Sequence, residues 1–262
     1  MSFNVVDIKE EVEKTVIKAG EILLSFFGNS LRTKDKYQRG FVTEADIASE
    51  QFLIERLSLI LPEADFFAEE SGKSAGNGDY CWVIDPLDGT TNFAHTIPYF
   101  CISVALTYKG EPILAIIYQP VLKELFYAAK GKGAFLNGKP IESSQATSLD
   151  KAFLGIGVPY EKNSDYYKRF MHDLIEIMKQ SFSFRHFGAV ALDLAYVACG
   201  RLDATFFEDL FWWDFSAGSL LIREANGVIT DFDNNQINQT SRSVLGANKM
   251  IHKKLIALIQ KV

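Results

Sequence analysis

Cysteine and histidine are scarce. Three cysteines and four histidines occur in 262 residues. Cys81, Cys101 and Cys199 are odd in number, show no C-x-x-C spacing and sit among apolar neighbours. That excludes a disulfide framework or a cysteine-rich zinc site and reads as buried free thiols in a reducing compartment. His95, His172, His186 and His252 have no metal-ligand spacing. Long apolar runs are also missing: Ile113 to Tyr118, the longest in the middle of the chain, is far too short to cross a bilayer. The first residues lack the basic-then-apolar order of a signal peptide. Clusters of Lys and Arg, low-complexity segments and repeats are absent, and the net charge is −6. This balance argues against a nucleic-acid or anionic-membrane surface. A cytoplasmic protein is expected, with no nucleic acid and no membrane among its partners.

What is present is enough for a full-sized core. The 48% hydrophobic content over 262 residues suits a single domain over 1–262, built as two tightly packed halves with a boundary near 145–150. Helical spacing of Ile8, Val12, Val16, Ala19, Leu23 and Phe26 predicts a helix over 5–27, closed by Gly28-Asn29. A polar loop is expected over 30–42, then a helix from Thr43 to about Ile60, stopped at Leu61-Pro62. Short strands are expected over 66–68 and 80–85, with a mobile Gly/Ser/Asn-rich loop over 72–79. Strands over 100–108, 112–118 and 124–129 follow, with turns at 109–111 and at Asn137-Gly138. The second half alternates. Strands are expected near 152–157, 183–187, 203–207, 228–231 and 243–246. Helices are expected near 165–180 and 189–199, from Asp214, and over 249–261. Hairpins followed by alternation imply layered sheets and helices.

Residues 83–93, Val-Ile-Asp-Pro-Leu-Asp-Gly-Thr-Thr-Asn-Phe, carry the most chemistry. Asp85 and Asp88 supply hard carboxylate oxygens of the kind Mg2+ prefers. Gly89, Thr90 and Thr91 have the make-up of a turn that opens a helix, where free backbone N–H groups attract phosphate. Alone, such a segment could be a surface turn. Three other acidic sites share its context, each where an apolar element meets a turn: Asp46, Glu69-Glu70 and Asp214. Asp214 could be a helix cap and Glu69-Glu70 a solvated strand end. Convergence of all four sites would be costly without a cation, since two like charges ~4 Å apart repel by about 4 kcal/mol at an effective dielectric of ~20. Such carboxylates either hold protons or bind metal, and an all-oxygen set points to Mg2+.

The ordered motifs Ala68-Glu69-Glu70-Ser71, Asp85-Pro86-Leu87-Asp88-Gly89-Thr90-Thr91-Asn92-Phe93-Ala94-His95 and Trp213-Asp214-Phe215-Ser216-Ala217-Gly218 resemble the signatures of the inositol monophosphatase family. Val42 to Asp46, Lys130 to Phe135 and Phe187 to Leu192 extend the resemblance over nearly the whole chain. It implies a layered αβαβα sandwich of the α+β class, shared with the fructose-1,6-bisphosphatase type. It also implies a homodimer and a Mg2+-dependent, lithium-sensitive phosphomonoesterase. Carried over residue by residue, it places one Mg2+ on Glu69, Asp85 and the Leu87 carbonyl. A second falls on Asp85, Asp88 and Asp214, and a weaker third is helped by Glu69. Gly89 and Thr90 would receive the phosphate on their N–H groups. Thr90, paired with Asp46, would orient a metal-activated water. Asp88, Gly188, Ala189 and Val190 would line the substrate. Inositol 1-phosphate is the expected ester. The alternatives are histidinol phosphate, fructose 1,6-bisphosphate, NADP or a nucleotide 3'-phosphate, or a regulatory binding protein on a phosphatase scaffold.

The substrate side departs from the family pattern. The family's substrate-contacting glutamate lies seven residues before the last metal aspartate. That position is Phe207 here, and Glu208 follows it. Either a local bulge restores Glu208 or the sugar contact is changed, and Glu208-Asp209 could also be a solvated loop. Glu70 is a further candidate. Arg185 would face substrate, a dimer partner or a structural ion pair.

Overall fold

The computed structural model describes residues 5–29, 33–35, 41–74, 76, 78–159, 162 and 165–259. Two helices open the chain, α1 (Val5–Phe26) and α2 (Glu44–Ile60). Most of the first half then forms β3 (Asp65–Ala68), β4 (Gly72–Lys73), β5 (Tyr80–Asp88), β6 (Cys101–Tyr108), β7 (Glu111–Gln119), β8 (Glu124–Ala129), β9 (Ala134–Leu136) and β10 (Lys139–Ile141). These make one eight-stranded sheet in the order β10-β9-β8-β7-β6-β5-β3-β4. All its pairings are antiparallel except β3 with β5.

Period-two alternation decides which face each residue covers. On β6, Ile102, Val104 and Leu106 join Val12, Val16 and Leu23 of α1 and Leu53 and Leu57 of α2 in one core. Cys101 and Ala105 face the other way, onto α5 (Val190–Ala198) and α6 (Trp212–Glu224). A second sheet closes over the far side of that helix pair. Its order is β12 (Ser183–Arg185), β11 (Phe153–Gly157), β13 (Ala204–Glu208), β15 (Ser243–Ala247) and β14 (Val228–Thr230). Its outer face packs on α4 (Asp165–Met178) and α7 (Lys249–Ile259) through Leu154, Phe206, Leu245, Phe170 and Leu255. The layers are therefore helix, sheet, helix, sheet, helix, as expected. The chain crosses between the sheets after Ile141, and one core joins both sheets through α5 and α6.

Several boundaries differ from the sequence expectation. Within the polar 30–42 segment, β1 (Thr33–Asp35) pairs antiparallel with β2 (Phe41–Thr43), while 30–32 and 36–40 lie outside the described residues. The expected 72–79 loop begins with β4, and residues 75 and 77 lie outside the description, as does the end of the last helix at 260–262. The Asn137-Gly138 turn joins β9 to β10, two strands too short to stand out as periodic patterns. Helix α6 starts at Trp212, so Asp214 is its third residue and not its first.

Candidate active site

Strand β5 runs past Asp85 as far as Asp88, and its register with β6 slips on the way. Asp85 opposes Ser103 and Asp88 opposes Cys101. Three steps on β5 thus match two on β6, which is a bulge, placed where Pro86 can give no N–H to the ladder. Ser103 and Cys101 are two apart and share a face, so Asp85 and Asp88 share it too. Without the extra residue, positions three apart would point to opposite faces. Asp85 is 2% exposed and Asp88 is 8% exposed.

Gly89 follows at φ +91°, and a Cβ there would lie 3.0 Å from the Tyr99 carbonyl oxygen and 3.2 Å from Ala189 Cβ. Glycine is the residue that tolerates both the conformation and the approach. The short helix α3 (Thr90–Ala94) starts there, with its first N–H groups beside the carboxylates. Thr90 donates its hydroxyl proton between the Leu87 carbonyl at 2.9 Å and Asp46 Oδ1 at 3.2 Å. Asp46 is fully buried, and its Oδ2 accepts from the Thr43 N–H at 2.8 Å. The pairing of Thr90 with Asp46 is present as expected.

Asp88 reaches across to the start of α5. It accepts from the N–H groups of Val190 at 3.1 Å and Ala191 at 2.7 Å. Asp214 accepts from the Phe211 N–H at 2.7 Å, fixing its carboxylate at the start of α6. Burial pushes Asp85 well above the usual carboxylate range, and the charges of Glu69, Asp88 and Asp214 push it further. Burial raises Asp88 to about 7 against the pull of the α5 amides. Asp214 is raised well above its ordinary value by burial, with Glu69 and Asp88 adding to it.

Glu69, Asp85, Leu87, Asp88 and Asp214 line one pocket of about 600 Å³, together with Gly89, Thr90 and the 188–190 segment. Among the described residues, no three His, Cys, Asp or Glu side chains stand close enough to hold an ion as placed. Asp85, Asp88 and Asp214 accept from backbone N–H groups instead. They line the same pocket, and their donor set is all oxygen. Such a set fits a hard cation whose arrival would draw the side chains inward.

Of the two remaining candidates, Glu208 lines the pocket and Arg185 does not. Glu208 borders the pocket, but its Oε1 accepts from Arg169 of α4 at 2.9 Å, and its other oxygen is buried without a hydrogen bond. The register of β13 is regular through Glu208 on β15, so Glu208 reaches the pocket edge without the bulge considered from the sequence. Arg185 is exposed, donates to Ser183 Oγ and the Phe184 carbonyl, and lies over the Phe153 ring at 5.0 Å, outside the pocket lining.

Three supporting residues were not anticipated. Glu50 is 3% exposed and accepts from the N–H groups of Glu70 at 2.9 Å and Ser71 at 2.8 Å. Ser49 donates to the Pro86 carbonyl at 3.0 Å. Asp46, Ser49 and Glu50 are spaced i, i+3, i+4 on α2, so one buried helix face holds Thr90, the β5 bulge and the Glu69 turn. Asn92 donates to the carbonyls of Tyr99 at 2.8 Å and Phe187 at 2.7 Å, tying the α3 turn to the 188–190 segment. The sequence signal was a run of acid and hydroxyl groups at helical spacing among Ala45, Leu53 and Leu57.

Acidic residues gathered beside a helix start, between layered sheets, define an acidic pocket in a fold of the αβαβα class. The comparisons agree with this class. The Inositol monophosphatase family matches residues 6–262, and the chain belongs to that family. The Nus factor SuhB of Escherichia coli (strain K12) is 37% identical over 92% of this chain and 91% of its own length. The inositol-1-monophosphatase of Caulobacter vibrioides is 39% identical over 91% of this chain and 95% of its own. The crystal structure of the extragenic suppressor protein suhB from Bartonella henselae superposes with a TM-score of 0.93 at 33% identity, covering 97% of this chain and 99% of that one. Among the described residues, no helix is long and apolar enough to cross a membrane.

Proposed function

We propose that the chain is a Mg2+-dependent phosphoric monoester hydrolase acting on a small phosphate ester, with inositol 1-phosphate as the reference substrate suggested by the Caulobacter relative's name. One observation carries the reading: Asp85, Asp88 and Asp214 border the same pocket as the Gly89-Thr90 helix start, with Asp46 bonded to Thr90 behind it. Glu69, Asp85, the Leu87 carbonyl, Asp88 and Asp214 are the groups that would hold Mg2+, two ions and a weaker third. Bound there, Mg2+ supplies charge neutralisation and a water of lowered pKa.

The remaining work falls to this chain's own groups. The N–H groups of Gly89 and Thr90 receive phosphate oxygens. Thr90 donates its hydroxyl hydrogen bond to Asp46 or the Leu87 carbonyl and keeps lone pairs that accept from, and so orient, the attacking water. The Gly188-Ala189-Val190 segment, pinned to Asp88, borders the leaving alcohol. No covalent protein intermediate is required. Phosphate release from inositol 1-phosphate, histidinol phosphate, fructose 1,6-bisphosphate and NADP, with and without Mg2+, tests the reading. Absence of Mg2+-dependent release from all of them refutes it.

The same reading takes the protein to be a cytoplasmic homodimer, inhibited by lithium. Support for self-association comes from Ile175 and Met178, exposed one turn apart at the end of α4, and from Phe182, exposed just beyond that helix. Light scattering on the purified chain checks this, and a monomer at micromolar concentration sinks it. A second reading, a binding partner on a phosphatase scaffold, is favoured by relatives designated Nus factor. An Asp88→Asn chain separates the two, because a binding role survives that change and hydrolysis does not.

A further inference from the structure

Strand β6 carries a hydrogen-bond donor opposite each of the two central aspartates. Cys101 stands across from Asp88, and Ser103 stands across from Asp85. The Cys101 thiol donates to Asp88 Oδ2 at 3.6 Å. The Ser103 hydroxyl, two residues further along the same face, has no hydrogen bond, although Ser103 is only 1% exposed. An unpaired buried hydroxyl is uncommon, because it forfeits the bond it would make to water and gains none in return.

The surroundings of Ser103 single out one acceptor. Its two cross-strand neighbours are Asp85 on β5 and Ile117 on β7. Val83, Ala105 and Ile117 all belong to the apolar core on that face. Asp85 is therefore the carboxylate within cross-strand reach, since directly opposed side chains have Cβ atoms about 4.5–5.5 Å apart. As placed, Asp85 leaves the hydroxyl unused. Its Oδ1 accepts from the Leu87 N–H, along its own strand, at 3.0 Å.

We propose that Ser103 is a positioning residue of the metal centre, its hydroxyl donating to the Asp85 carboxylate in the Mg2+-bound protein. The assignment rests on the metal set of the proposed function, in which Asp85 serves both principal ions. A shared ligand fixes the placement of both, so a donor that holds it from behind acts on the whole centre. Removing such a partner changes metal affinity about 10- to 100-fold. In the metal-free fold the unpaired hydroxyl is destabilising, and in the loaded protein it is a tether. Its removal therefore has opposite signs in the two states.

The test is Ser103→Ala in the full chain, read without reference to turnover. In EDTA the variant is expected to unfold at the wild-type temperature or about 2–4 °C above it, because an unpaired buried group has gone. Its apparent Kd for Mg2+, from calorimetric titration of the metal-free protein, is expected to rise about tenfold. The gain in Tm that a fixed excess of Mg2+ produces should shrink in step, by about 3–6 °C. Thr205→Val is the control. Thr205 is also fully buried with an unpartnered hydroxyl, but it lies on β13 and outside the pocket lining. That variant is expected to keep the wild-type Kd for Mg2+. An unchanged Kd in Ser103→Ala, a Tm in EDTA that falls by several degrees, or an equal loss of Mg2+ affinity in Thr205→Val overturns the assignment while the metal reading stands. Absence of any Mg2+ binding by the wild-type chain refutes the metal reading itself.

Discussion

Replacing Glu50 by Gln should loosen the turn that carries Glu69 without touching the pocket. The carboxylate of Glu50 is almost fully buried and divides its oxygens between two N–H groups, Oε2 with Glu70 at 2.9 Å and Oε1 with Ser71 at 2.8 Å. Hydrogen bonds to a charged partner contribute about 1.5–3 kcal/mol each. The amide keeps the shape but offers one acceptor where two are needed, and its NH2 opposes an N–H. The expected loss is therefore one such bond, about 2 kcal/mol. Part of this appears as lower stability in urea unfolding. The rest appears where the turn must hold Glu69 in place, as weaker use of Mg2+. A cost of about 2 kcal/mol corresponds to roughly thirtyfold, since 1.4 kcal/mol is tenfold. Phosphate release measured against Mg2+ concentration reads this directly. The Mg2+ concentration for half-maximal rate should rise several-fold or more in Glu50→Gln, with kcat at saturating Mg2+ much less affected. A variant that is destabilised yet reaches half-maximal rate at the wild-type Mg2+ concentration would refute the positioning argument and leave Glu50 a purely structural residue.

Other outcomes follow from the same geometry. Asp85, Asp88 and Asp214 titrate above their unfolded values, so the metal-free fold binds their protons more tightly than the unfolded chain does. Their contribution to stability is complete below about pH 4 and is lost as pH rises toward about 7, the Asp88 value. The Tm measured in EDTA should therefore fall behind the Tm in Mg2+ increasingly between pH 5 and pH 8, on the order of several degrees, and a constant gap across that window would contradict it. Thr90→Ala should lower kcat about 10²-fold or more at saturating Mg2+, and full rate in that variant would end the water-orienting role. Asp214→Asn should reduce Mg2+-dependent phosphate release to near background, and intact turnover would show the metal assignment to be wrong. Gly89→Ala, which forces a Cβ into the left-handed region 3.0 Å from the Tyr99 carbonyl, should cost about 1–3 kcal/mol in urea unfolding.

Much of this site was legible because it is built from local signals. Asp85 and Asp88 announced themselves through an apolar strand that runs into Asp-Pro and then Gly-Thr-Thr, and Asp46 through its place in the first turn of a helix. What stayed hidden depends on pairing and on faces. The β1–β2 pairing lies in a charged stretch with no alternation, and β9 and β10 are three residues each. Glu50 and Ser49 were missed because a helix whose inward face mixes acids with leucines shows little amphipathic contrast, and only the tertiary partners reveal that the acids point in. Glu208 and Phe207 were separable only once the strand register was known, since one residue of slip exchanges the two faces. Arg185 was open between substrate and surface, and its stacking on Phe153 is a long-range contact with no local signature.

The bulge in β5 makes the two central aspartates hostage to the chain's length at one point. Deleting a single residue between Asp85 and Asp88 would restore ordinary pleating and leave the central strands of the sheet paired as before, yet it would swing one of the two carboxylates through the sheet into the apolar layer beneath α1 and α2. Such a chain would keep its architecture and gain a charge stranded in hydrocarbon, so catalysis would be lost through a counting error, not a chemical one.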